Sequence, residues 1–297
     1  MSLPAVGPFS VVDAHTHAFT PDIVRGRAEY AQRDLWFEHL YADPRALLIS
    51  GEHLRQSMTD AAIAHSVVCG FPWHDLGICR EHNDYLADVC ASSPGQFSWL
   101  ATVPLGGGKM AAREAERCFG FGASGLGELN ADAQRFDLTD PAALAPVVAA
   151  CMEHHRPLML HSTEPVGHAY PGKGSATPDR LVRFLEAFPD LDIVLAHWGG
   201  GLLFYELMPE IATMASRVTY DTAASTYLYR PAIFRAALDI LGPDRVMWGS
   251  DFPVLKQDRF LRRTRALELA PAEVELLLGG TARRVYRLAE AVPAASR

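Results

Sequence analysis

Asp13-Ala14-His15-Thr16-His17 sets two imidazoles two residues apart at the end of an apolar run. On a strand, side chains alternate with period two, so His15 and His17 project to one side, within reach of a single cation, with Asp13 on that side below them. Neutral imidazoles at that separation are good ligands for zinc or a similar divalent ion. By itself an HxH also occurs in cores and loops. The same chemistry recurs, however, at the ends of other apolar runs: Leu158-Met159-Leu160 leads into His161, Val194-Leu195-Ala196 into His197, and Met247-Trp248-Gly249-Ser250 into Asp251. Gly127-Glu128-Leu129 adds a carboxylate that could ligate a metal, bridge two metals or orient a histidine.

Segments this far apart share an ion only if the elements carrying them converge. Eight β-rich runs, each followed by a stretch with helical spacing, recur at intervals of about 30 residues, the signature of repeated βα units. They are Phe9 to Asp13, His65 to Cys69, Phe97 to Val103, Gly125 to Leu129, Pro157 to Leu160, Asp192 to Ala196, Arg217 to Asp221 and Arg245 to Trp248. Asp140-Pro141 supplies a cap and a first-turn proline ahead of the stripe Leu144, Val147, Val148 and Cys151; Thr177-Pro178 and Ala270-Pro271 repeat the device. The pattern predicts an α/β chain folded as a single (β/α)8 TIM barrel over 1–297, in preference to an open doubly wound sheet. In a barrel the C-terminal strand ends surround one mouth, so the ligand-type residues meet there. A long aromatic-rich insertion after the first strand, 18–51, reads as a lid or an interface arm. A Gly/Pro-rich loop runs from Gly167 to Thr177, and 291–297 reads as a frayed tail.

The chain has 297 residues, 49% apolar and 21% charged, which fits a globular protein rather than a disordered or fibrous one. With 27 basic against 35 acidic side chains the net charge is −8, which repels phosphate backbones; no nucleic acid and no membrane partner is expected, but a small molecule. Five scattered cysteines without a close CxxC pair indicate neither a disulfide framework nor a thiolate zinc site and fit a reducing, cytoplasmic compartment. Residues 1–8 lack the features of a secretory signal and read as a short arm.

DAHTH, LHST, LAHWGG and WGSDFP, in this order on strands one, five, six and eight, resemble the amidohydrolase superfamily, and within it the group related to aminocarboxymuconate-semialdehyde decarboxylase and many metal-dependent hydrolases. The resemblance covers Val11 to the helix containing Tyr286. It implies a metal held by His15, His17, His161 and Asp251, with His197 as an acid/base or additional ligand and Asp251 as acceptor of a proton from metal-bound water. The carboxylated lysine that bridges two metals in other branches has no counterpart, since Lys109, Lys173 and Lys256 lie off the strands; one ion is expected, with Glu128 the candidate for supporting a second. Zinc is the expected metal, with manganese, iron and cobalt as the other candidates, and a homodimer is compatible with the resemblance.

A divalent ion held by imidazoles lowers the pKa of its water from near 16 toward about 7, so the expected activity is hydrolysis of a C–N or C–O bond in a small carboxylated or cyclic substrate, with Asp251 and His197 as catalytic residues. The alternatives are nonoxidative decarboxylation of an unsaturated or aromatic acid by the same ligands, and an inactive ligand-binding barrel. Trp73, His74, Tyr227, Tyr229 and Arg230 lie after strands two and seven, where they touch substrate or pack loops. Gly199-Gly200-Gly201 lets the backbone approach a ligand or simply makes a turn.

Overall fold

The computed structural model describes residues 10–288; the expected arm and tail lie outside them. Eight strands form one parallel sheet in sequence order: β1 Val12–His17, β2 His65–Cys69, β3 Phe97–Ala101, β4 Gly125–Leu129, β5 Leu158–Leu160, β6 Ile193–Leu195, β7 Val218–Asp221 and β8 Val246–Met247. The ring closes where Ala14 N donates to Trp248 O (2.9 Å), Asp251 N to His15 O (2.9 Å) and His17 N to Phe252 O (2.8 Å). This is the expected TIM barrel, in a single domain. Relative to the sequence reading, β1 begins three residues later and continues through both imidazoles, because its far end is paired to the segment after β8.

The barrel interior is filled by side chains from alternate strand positions, among them Val12, Ala14, Val67, Leu100, Met159, Val194 and Met247, with Ala282 and Tyr286 packed against them. It is a packed core and not a pore. A second apolar layer lies between the strands and the outer helices. Asp140 Oδ1 caps Ala143 N at 3.2 Å in front of the helix Pro141–Glu153, and Leu144, Val147, Val148 and Cys151 are all buried as one stripe. All five cysteines are free. Among the described residues no helix is long and apolar enough to cross a membrane.

The insertion is built of three short helices rather than irregular chain: α1 Pro21–Arg25, α2 Arg27–Arg33 and α3 Leu35–Tyr41. Thr20 Oγ1 accepts from Ile23 N (3.0 Å) and Asp34 Oδ1 from Phe37 N (2.9 Å), so each of two starts is fixed by a side-chain cap. Helices of five to seven residues do not hold themselves in water. They are held by a satellite aromatic core of Phe19, Ile23, Tyr30, Phe37, Phe71 and Trp73.

Candidate metal centre

All six residues singled out in the sequence lie together at the C-terminal mouth, and all are buried. They form two groups: His15, His17 and Asp251 in one, Glu128, His161 and His197 in the other, the ligand atoms of each lying within 4.8 Å of one another. In the first, His15 Nε2 and His17 Nε2 are 3.1 Å apart, and Asp251 Oδ1 lies 3.3 Å from His17 Nε2 and 3.8 Å from His15 Nε2. Glu128 joins the two. Its Oε2 is 3.6 Å from His15 Nε2 and 3.8 Å from His17 Nε2, while its Oε1 is 2.8 Å from His161 Nδ1 and 3.0 Å from His197 Nε2.

Local backbone makes this convergence work. The register of β1 against β2 shifts between Asp13 and Thr16, a bulge at the strand end that re-aims the imidazoles. Gly249 passes so close to His15 that a Cβ there would sit 2.7 Å from the His15 Cβ. Asp251 and His197 occupy the left-handed region, at φ 62° and 55°, a conformation that costs of order 1 kcal/mol or more and persists where surroundings impose it. For Asp251 the imposing contact is its own N–H, bonded to His15 O.

The fit to a metal is read from the imidazoles. His15 donates Nδ1–H to Asp221 Oδ2 (2.8 Å), His161 faces Gly172 O with Nε2 (2.9 Å), and His197 faces Ala223 O with Nδ1 (3.3 Å). Each therefore spends one ring nitrogen on a fixed oxygen acceptor and turns the other inward, the outer-shell pattern of metal-ligating histidines. Nitrogens and carboxylate oxygens facing one another at such distances repel unless a proton or a cation lies between them. The donor set fits a divalent ion.

Charge in the centre is uneven. Burial opposes ionisation of Glu128, but the charges and hydrogen bonds of His161 and His15 outweigh it and hold its carboxyl well below the usual range. Burial likewise opposes ionisation of Asp251, yet the hydrogen bond from His17 and the charges of His15 and His197 hold it low. For His197 burial disfavours the charged ring, and the hydrogen bond and charge of Glu128, with Asp251 and Asp221, push it up to about 9.

Other expectations resolve individually. Asp13, on the same strand face, is no part of either group: Ser250 N and Oγ (2.8 and 2.6 Å) and Gln257 Nε2 (2.8 Å) donate to it. Trp73 is buried and donates Nε1–H to His82 Nδ1 (3.0 Å), and His74 Nδ1 lies 3.1 Å from Gln134 O, so both pack loops. Tyr229 and Arg230 line a cleft of about 470 Å³ shared with Phe260 and Leu267. Asp221, at the end of β7, was not singled out; it binds His15 through Oδ2 and accepts from His197 N (2.9 Å) and Ala223 N (3.0 Å) through Oδ1. The signal was present, an apolar run ending in an acid, as at the strands that were recognised.

The family model described as "Amidohydrolase" matches residues 12–288. The 6-methylsalicylic acid decarboxylase of Penicillium expansum is 26% identical over 297 aligned residues, covering 86% of this chain and 89% of that protein. A gamma-resorcylate decarboxylase of Polaromonas sp. JS666 is 25% identical, covering 70% and 76%. In fold, the chain is similar to 5-carboxyvanillate decarboxylase of Novosphingobium aromaticivorans, crystallised with manganese and 4-hydroxy-3-methoxy-5-nitrobenzoic acid: TM-score 0.77, 19% identity, 95% of this chain and 97% of the other covered. These relatives overturn the expectation of a hydrolase. The physical reason is that the ligand motifs describe how an ion is held, which is common to both reactions, and not which substrate atom receives the proton.

Proposed function

Because the chain belongs to the amidohydrolase family, we propose that it is a metal-dependent, nonoxidative decarboxylase of small aromatic acids that carry a hydroxyl beside the carboxylate. The observation that carries this reading is the decarboxylase relative that aligns over 86% of the chain and 89% of its own length. These two relatives are named for acids of the 2-hydroxybenzoate type.

His15, His17 and Asp251 would hold one divalent ion, with Glu128 and His161 completing its shell. Such an ion supplies positive charge that binds the acid's oxygens and draws electron density from the ring. Imidazoles and carboxylates without a thiolate suit zinc and manganese alike; the manganese of the structural relative makes that ion the one to test first.

The protein's own groups handle the proton. His197 turns Nε2 to Glu128 Oε1 at 3.0 Å, where it can carry a proton. We assign it as the reservoir and Asp251 as the group that delivers the proton to the ring carbon bearing the carboxylate. The new C–H bond forms, the C–C bond breaks with its electron pair returning to the ring, and carbon dioxide leaves. One proton is consumed per carboxylate anion.

Manganese-loaded protein incubated with 6-methylsalicylate and 2,6-dihydroxybenzoate is expected to release carbon dioxide and the matching phenol, with one deuterium at the vacated carbon in heavy water. Chelation should abolish the reaction, and Asp251→Asn should slow it by about 10²-fold or more. Cleavage of amides or lactones without any carbon dioxide release would overturn the proposal.

A further inference from the structure

One side chain of the insertion reaches the mouth without a role in holding the fold's polar network. α3 ends at Tyr41, whose ring packs 5.4 Å from Phe19, 5.1 Å from Phe37 and 5.8 Å from Phe71 by centroid. Phe19 lies two residues beyond His17, and Phe71 two beyond the end of β2, so these contacts set Tyr41 above the β1 and β2 ends, beside the metal centre. Burial, together with the negative charges of Asp251 and Glu128, raises its phenol above the ordinary range, which fits that placement. Among the described residues its hydroxyl makes no hydrogen bond, while the charges of Asp251 and Glu128 act on it.

The helix that presents it is fastened. Asp34 caps α3 through Oδ1 and accepts from His74 N (3.1 Å) through Oδ2, tying the insertion to the loop after β2. Just beyond Tyr41, Arg27 donates to Asp43 O (2.7 Å) and Ala46 O (2.8 Å), which holds the chain leaving the helix. Phe19 N donates to Ile49 O (2.7 Å), closing the insertion back onto the end of β1. A phenol held rigidly at a mouth lined by carboxylates, with an unspent donor, is suited to meet an incoming anion.

We infer that Tyr41 is a substrate-contacting residue: its hydroxyl donates a hydrogen bond to an oxygen of the aromatic acid at the metal centre, while Phe19 and Phe71, buried beneath it, hold its ring in place. The substrate class rests on the decarboxylase reading above; the contact rests on the insertion. The insertion is then part of the binding site. Aromatic contacts at 4.5–7 Å fix the ring that carries the hydroxyl, and a neutral donor aimed at an anionic oxygen adds orientation.

Tyr41→Phe keeps the ring and its packing and removes only the hydroxyl. It should raise KM for 6-methylsalicylate about tenfold with kcat within about threefold, and raise the calorimetric Kd for salicylate on the manganese-loaded protein about tenfold. Metal content and Tm should not move. Unchanged KM and Kd would overturn the inference, as would a fall in kcat accompanied by lost metal, which marks a structural role. Wild-type protein that binds salicylate but releases no carbon dioxide overturns the decarboxylase reading alone, and the two Kd values then decide the Tyr41 contact. Wild-type protein that binds no salicylate overturns both.

Discussion

Asp221 commits both carboxylate oxygens to the centre without facing it: one takes the Nδ1 proton of His15, the other the backbone N–H groups of His197 and Ala223. It thereby fixes which nitrogen of His15 is turned inward. Asp221→Asn should lower metal affinity about 10–100-fold, read by competition with a chromogenic chelator, with only a modest change in the Tm of the metal-free protein. An unchanged affinity would remove Asp221 from that role. At this scale the sequence was most legible where a strand ended in histidine, because period-two alternation fixes the side of His15 and His17 without any tertiary knowledge. It was least legible at Glu128. Which of three roles a carboxylate takes depends on rotamer and on segments brought from elsewhere, and the structure has it touch both halves of the centre.

The loops after β5 and β6 meet where Gly200 passes Thr163. A Cβ on Gly200 would lie 2.3 Å from Thr163 O, and its φ of 57° strains any other residue. Gly200 thus serves close backbone packing. Gly200→Ala should destabilise the protein by about 2 kcal/mol or more through strain and backbone displacement, lowering Tm by several degrees in a thermal melt. Normal stability of that variant would show the contact to be slack. The outer helices were legible because ten or more residues give a stripe that periodicity detects, as in Leu144, Val147, Val148 and Cys151. The insertion's helices were not. Each presents fewer than two full turns, and what decides their state is the packing of Phe37 on Phe71 and Trp73, at 5.4 and 4.9 Å, with which no local pattern is correlated.

Across the whole molecule, His82 ties the insertion side of the barrel to its frame. Buried Nε2–H donates to Ala18 O (2.7 Å) and Nδ1 accepts from Trp73 Nε1 (3.0 Å), so the ring is held neutral, and burial pushes its pKa down to about 4. A folded-state value below the unfolded one near 6.5 means that the unfolded chain binds the proton first as pH falls. Stability from this group is full above about pH 6.5 and declines toward pH 4, by about 3 kcal/mol. Urea midpoints measured across that interval should fall, and His82→Gln should flatten the dependence. A variant with the wild-type slope would place the titration elsewhere. The overall architecture was legible because eight apolar runs at regular spacing admit few closures. The strand bounds were less so, since β8 has only Val246 and Met247 in regular pairing, and β1 is drawn out to His17 by a partner more than 230 positions away.

That seam has a temporal side. Asp251 reaches His15 and His17 only when the segment after β8 docks against β1, through the bonds from Asp251 N to His15 O and from His17 N to Phe252 O. During vectorial synthesis the first two imidazoles emerge early and wait for almost the entire polypeptide before their carboxylate arrives. The full donor set is therefore assembled only at the end of biogenesis, and a nascent chain stalled before Asp251 would leave those imidazoles without it.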